Sequence, residues 1–152
     1  MNFDEVDIKL LSLLQEDCKK TTKEYANKLN LSVTAVYERI KRLEKTEVID
    51  KYVALINKKQ ANKSFTALCH VKLVQHTKDY VSRFEKEVVQ LKEVVECYHI
   101  SGDYDYILKI HVSDMEEYRE FMVSKLTAIS HIGSTQSSFV ITEVKHTTSI
   151  PI

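Results

Sequence analysis

Glycine is nearly missing from this 152-residue sequence, occurring only at Gly102 and Gly133. Two glycines so placed make neither a GxGxxG fingerprint nor a phosphate-cradling P-loop. Cysteine is equally sparse. Cys18, Cys69 and Cys97 are odd in number and widely spaced, which fits reduced core thiols and not a disulfide framework or zinc knuckle. Net charge is lacking as well, since 22 Lys and Arg balance 22 Asp and Glu. Any nucleic-acid binding must therefore come from a local patch. No stretch approaches the roughly 18 apolar residues of a membrane helix. The acidic opening MNFDEVDIKL has none of the basic and apolar regions of a secretory signal. A cytoplasmic protein with no membrane partner is expected.

Catalytic and metal constellations are also missing. His70, His76, His99, His111, His131 and His146 form no HxH or HxxxH pair, and no nucleophile elbow surrounds any serine. The expectation is a protein that is not an enzyme, with no metal and no cofactor.

What is present falls into two patterns, in a chain whose 43% apolar content suffices for a packed core. Residues 4 to 45 read as three helices. Asp4 is a good N-cap with Asp7 three residues on, and Phe3 can staple onto Ile8. Val6, Leu10, Leu13 and Leu14 then repeat at helical spacing, with Leu11 widening the stripe. A Thr cap precedes TKEYANKL, which buries Tyr25, Ala26 and Leu29. In the following LNLS, Asn30 can take the left-handed conformation of a tight turn. Ser32 caps a third helix to about Lys45, with Val36, Ile40 and Leu43 inward. Three short helices with a tight turn between the last two make a helix-turn-helix. EVIDKYVALIN (47 to 57) reads as a strand or wing, and the polar, basic NKKQANKS (57 to 64) as a linker.

Beyond it the pattern changes to βαββαβ. FTALCHVKLV, EVVECYHIS, DYILKIHV and SSFVITEVKH are predicted strands. KDYVSRFEKEVVQL is predicted as a helix burying Tyr80, Val81, Phe84 and Val88. DMEEYREFMVSKL is predicted as another, capped by Ser113 or Asp114 and burying Met115, Tyr118, Met122 and Leu126. Right-handed crossovers place both helices on one face of the sheet, a ferredoxin-like arrangement. Neither sheet face is cleanly polar, since Leu68 and Val74 oppose Ala67, Cys69, Val71 and Leu73. A second copy of the sheet is the expected cover, so a homodimer is predicted. The fold class is α+β, with three parts: residues 1–56 a winged helix-turn-helix, 57–64 a linker, and 65–152 a ligand-sensing and oligomerisation domain.

On the third helix Thr34, Ala35, Glu38, Lys41 and Arg42 point outward. Small and hydroxyl side chains near its start, with the Ser32 cap, can approach base edges; Lys41 and Arg42 can reach phosphates. From Arg39 to Lys63 there are eight Lys and Arg against three Asp and Glu, a patch suited to double-stranded DNA. The plainer alternative is a solvated Glu38–Arg42 pair at i,i+4.

DEVDIKLLSLLQEDCKKTTKEYANKLNLSVTAVYERIKRLEKTEVIDKY, SGDYDYILKI and SSFVITEVKHTTSIPI together resemble the Lrp/AsnC (feast/famine) transcription regulators. The resemblance spans essentially the whole chain, although Asn30 and NKKQANKS stand where the family often has glycine or proline. It implies a homodimer assembled further into tetramers or octamers, and an amino-acid effector that modulates assembly or DNA binding. It also implies that the loop HISGDYDY lines the effector pocket. That chemistry is reasonable from the residues: Gly102 can adopt positive φ, amides from Ser101 to Asp103 can bind a carboxylate, and Asp103 or Asp105 can pair with an ammonium group. His99 and Tyr104 complete the loop. Thr135, Gln136 and Ser137 form a second polar run at a matching position, and Arg119 and Val123 fall near the remaining family contacts. Two rival readings are an amino-acid-binding metabolic regulatory subunit and an effector-independent DNA-architectural protein.

Overall fold

The computed structural model describes residues 3–152, which divide into two compact units. One gathers the residues up to Leu55 together with Val144–Ile152; the other is Ile56–Glu143.

The first unit holds α1 (Glu5–Glu16), α2 (Thr22–Leu29) and α3 (Val33–Lys45). Each begins where a side chain satisfies orphan amides. Asp4 and Asp7 form a reciprocal capping box, as do Thr21 and Glu24, and Ser32 accepts from the Ala35 amide. Leu10, Leu11, Tyr25, Ala26, Val36 and Leu43 make the core, with Leu29 and Ile40 packed at its edge. The tail joins this unit through Gln15, whose side-chain amide exchanges two hydrogen bonds with the Ile150 backbone at 3.1 and 2.8 Å.

Residues 47 to 57, expected as a strand or wing, form no strand. The chain turns at Glu47, φ 57°, and residues 51–57 then belong to no strand. Tyr52, Val53, Leu55 and Ile56 stay exposed along it. NKKQANKS is not a formless connector either. The Asn57 side chain accepts from the Lys59 and Gln60 amides, and the Asn57 carbonyl accepts from Ala61.

The second unit contains β1 (Phe65–Leu73), α4 (Lys78–Val88), β2 (Val94–His99), β3 (Tyr106–Val112), α5 (Met115–Phe121) and β4 (Ile132–Phe139). The sheet is antiparallel in the order β2-β3-β1-β4. Alternation along β3, and along β1 from Ala67 on, puts Ala67, Cys69, Val71, Leu108, Ile110 and Val112 in the core against Phe84, Val88 and Phe121. Full burial of a side chain such as Phe84 contributes about 1.5–3 kcal/mol. The opposite face mixes Leu68, Ile107 and exposed Tyr98 with a Lys109–Glu96 ion pair.

Two expectations need correction. The last strand runs over Ile132–Phe139, not 137 to 146, because its hydrogen bonds to β1 start at the Leu73–Ile132 pair and end near the Val140 amide. Its alternating Ser134, Gln136 and Ser138 conceal it from a search for apolar runs. The second correction concerns Met115, which is 49% exposed. Asp114 caps α5 and leaves Met115 at the first turn. A π-helical turn over Met122–Leu126 then resets the spacing, so Tyr118, Phe121 and Leu126 are the buried residues.

Candidate functional site

The turn before α3 is made by Asn30, at φ 53° and ψ 46°. Amide groups of both Asn30 and Leu31 donate to the Ala26 carbonyl and close the end of α2. Burial of Val36 and Leu43 then fixes the rotation of α3. Ser32, Thr34, Glu38, Lys41 and Arg42 are exposed, and Ala35 is half-buried. Sequence reasoning omitted two exposed neighbours, Val33 and Tyr37, each 48% accessible. Their offset from Val36, Ile40 and Leu43 was the available signal, but apolar side chains draw attention only as core.

The two cations proposed for phosphates are held differently. Lys41 donates to Glu44 at 2.7 Å and lies 5.8 Å from the centre of the Tyr37 ring. Glu44 raises the Lys41 pKa above its ordinary value. Arg42 donates to both oxygens of Asp7, at 2.5 and 2.6 Å, and Arg39 donates to Asp4 and Asp7, each at 2.7 Å. Asp7 itself is 2% exposed. Arg42 is thus anchored to α1, and the Glu38–Arg42 pair does not form among the described residues.

In the second unit the loop after β2 has the features of a small-molecule site and those of a structural turn, on different residues. Gly102 has φ 128°, with open space where a Cβ would stand. Ser101, Gly102 and Asp103 are exposed. Asp105 is committed to the fold. Its carboxylate accepts the Leu73 amide at 2.7 Å and faces His76 Nδ1 at 3.1 Å, while its own amide donates to Val71. His99 stacks on Tyr106 at 4.6 Å, and Tyr106 donates to Glu85 at 2.9 Å. Burial and the Glu85 carboxylate push the Tyr106 hydroxyl well above the usual phenol range.

Tyr104 and Gln136 are brought together: the phenol donates to Oε1 at 2.7 Å, above His70, whose ring centre is 5.3 Å from that of Tyr104. Ser137 points the other way, 2.5 Å from the Tyr118 hydroxyl, and Thr135 pairs with Val71 on the same helix-facing side. Burial pushes Tyr118 up to about 12. Arg119 is exposed and paired with Glu116, and Val123 is exposed on the π-helical turn. Among the described residues no hydrogen bond, ion pair or ring contact joins these two to the loop.

A cavity of about 440 Å³ lies elsewhere in this unit, lined by Ile56, Lys58, Lys63, Lys92, Glu93 and His111 among others. Lys58 is paired with Glu143 and Lys63 with Glu117. Among the described residues no cluster of three or more His, Cys, Asp or Glu could hold a metal ion, and no helix is long and apolar enough to cross a membrane.

Comparison with known proteins assigns both halves. Residues 3–44 match the AsnC-type helix-turn-helix domain, and residues 66–150 match the Lrp/AsnC ligand binding domain. The chain is 34% identical over 150 residues to the DNA-binding transcriptional activator DecR of Escherichia coli K12, covering 99% of each protein. It is 37% identical over 145 residues to the leucine-responsive regulatory protein of Haemophilus influenzae, covering 95% of this chain and 87% of that one. Among solved structures, a transcriptional regulator of Neisseria meningitidis in complex with L-Met superposes with a TM-score of 0.94 at 33% identity, covering 99% of this chain and 97% of the other.

Proposed function

The chain belongs to the Lrp/AsnC family of transcription regulators, and from that membership we propose how its parts divide the work. Residues 1–56 bind duplex DNA, 57–64 link, and 65–152 sense an amino acid and assemble copies of the chain, with the terminal segment returning to the first unit. The working form is a cytoplasmic homodimer, assembled further into a tetramer or octamer. Nothing in this scheme requires a catalytic step or a cofactor.

One observation carries the DNA-binding reading: α3 follows the Asn30 turn and presents an exposed outer face with Thr34, Glu38 and Lys41. Such a helix enters the major groove with its first turns at the base edges. Ser32, Thr34, Ala35 and Glu38 face the bases in this reading, while Lys41 and Arg42 face the backbone. Arg42 reaches a phosphate while retaining Asp7 as its anchor.

Dimerisation is supported by the apolar groups left on the outer sheet face and by the bare stretch from Tyr52 to Ile56. A dimer supplies two α3 helices about one DNA turn apart, and thereby a two-fold symmetric site.

The effector reading places a carboxylate on the amides around Ser101–Asp103 and an ammonium at Asp103. Asp105, His99 and the Tyr104–Gln136 bond hold the loop in shape. Thr135, Ser137, Arg119 and Val123 are assigned to the same kind of site. Because Thr135 and Ser137 face the helices, and Arg119 and Val123 have no contact with the loop among the described residues, a neighbouring copy is needed to bring all four to it. The L-Met complex of the Neisseria relative supports an amino acid as the class of ligand.

Footprinting on a duplex selected by the intact chain tests this division. Two protected stretches separated by about 10 base pairs are expected for a dimer. Protection that spreads along any duplex without a boundary would contradict sequence-specific reading.

A further inference from the structure

Val33, Tyr37 and Lys41 are spaced at i,i+4,i+8 and so form one line along α3. The line flanks the outward positions Thr34 and Glu38. We propose that Tyr37 helps determine sequence specificity, its ring packing with Val33 against the C5-methyl group of a thymine in the major groove. The inference rests on the DNA-binding reading of α3 and adds the chemistry of what that helix recognises.

Three features carry it. Both apolar side chains stand half-exposed on a helix whose inner face is already filled by Val36 and Leu43, so packing within the unit does not explain them. The Tyr37 hydroxyl makes no hydrogen bond among the described residues, unlike Tyr25, which donates to the Asp17 carbonyl. Lys41 sits 5.8 Å from the ring centre and is itself held by Glu44, so the ring is oriented and has a cation beside it. The partner must therefore be apolar where it meets the ring and anionic nearby. A thymine in duplex DNA meets both conditions, since its methyl group is the apolar mark of the major groove and phosphates flank it. Tyr37 lies in the first turns of α3, the part of a reading helix nearest the bases.

The test uses the intact chain and duplexes selected by it from a randomised pool. Each thymine of the selected site is replaced in turn by uracil, which pairs identically and lacks only the methyl group. At one or more positions the wild-type chain should lose about fourfold in affinity, the value of one buried methyl-sized group. Tyr37→Ala should bind the thymine and uracil duplexes equally at those positions, and Tyr37→Phe should discriminate as the wild type does. The proposal is overturned if Tyr37→Ala keeps the wild-type preference everywhere, or if the wild type shows none. Failure to select any sequence would contradict sequence-specific DNA reading itself, and this proposal with it.

Discussion

The buried carboxylate of Asp7 and the guanidinium of Arg42 meet at 2.5 and 2.6 Å across 35 residues of sequence. Arg39 joins them at 2.7 Å. Asp7 is at once the N3 member of the α1 capping box and the anchor of Arg39 and Arg42, so one residue couples the start of α1 to the second half of α3.

Asp7→Ala should therefore unfold the helical unit at lower urea concentration. It leaves Arg42 without its carboxylate, leaves Arg39 with Asp4 alone, and removes the Asp7 half of the capping box. A loss of about 2–3 kcal/mol is expected, below the full cost of breaking a buried pair because Arg42 remains half-exposed. Chemical denaturation followed by circular dichroism measures it. An unchanged midpoint would mean that the cluster is replaceable by water.

Lys41 and Arg42 should separate in their effects. Lys41→Ala should weaken binding to all duplexes and reduce the salt slope by about one, with the denaturation midpoint unchanged. Arg42→Ala should weaken binding and also lower stability, because the buried Asp7 carboxylate then keeps only Arg39 as a cationic partner. Equal stability of the two variants would sink the distinction.

Asp103 and Asp105 should separate in the same way. An amino acid at about 100 times its Kd raises stability by roughly 2.7 kcal/mol, which a thermal-shift screen detects. Asp103→Ala should abolish that shift and leave the unliganded Tm in place. Asp105→Ala should abolish it and lower the unliganded stability by about 1–2 kcal/mol, through the Leu73 amide left without its acceptor. A normal amino-acid shift in Asp103→Ala would remove that residue from the pocket.

Glu117 controls part of the acid limb. Its carboxylate accepts from Lys63 at 2.5 Å and from the Ser113 amide at 2.6 Å, which lowers its pKa to about 2 from an ordinary 4.5. A depressed folded-state pKa stabilises the fold above the unfolded value and loses that contribution as pH falls through the folded one. Stability contributed by Glu117 is thus full above about pH 4.5 and drains away toward pH 2. Glu117→Gln should flatten the Tm-versus-pH curve within that window. A curve parallel to the wild type there would show that the contacts do not persist in solution.

The helices were legible from the sequence because caps and apolar spacing are local: Asp4, Thr21, Ser32 and the left-handed Asn30 all act where their neighbours indicate. The α+β class of the second unit was legible from the βαββαβ order of its elements, while the strand order β2-β3-β1-β4 came only with the structure. What escaped depends on distant partners. Asp7 reads as a cap residue until Arg39 and Arg42 arrive from α3. The Leu73 amide and His76 that meet Asp105 likewise come from far along the chain. The final strand is misplaced because Gln136 and Ser138 gain their meaning only beside β1. Tyr37 was overlooked because an aromatic residue near Val36 and Ile40 is easily assigned to the core.

The most direct measurement is fluorescence anisotropy of the intact chain on its selected duplex, at 50 and 200 mM salt and with each of the twenty amino acids. The affinity should fall by about 10³-fold across that salt range, as several neutralised phosphates require, and one amino acid should shift it further. An affinity indifferent to salt, or unmoved by every amino acid, would contradict amino-acid-modulated DNA binding.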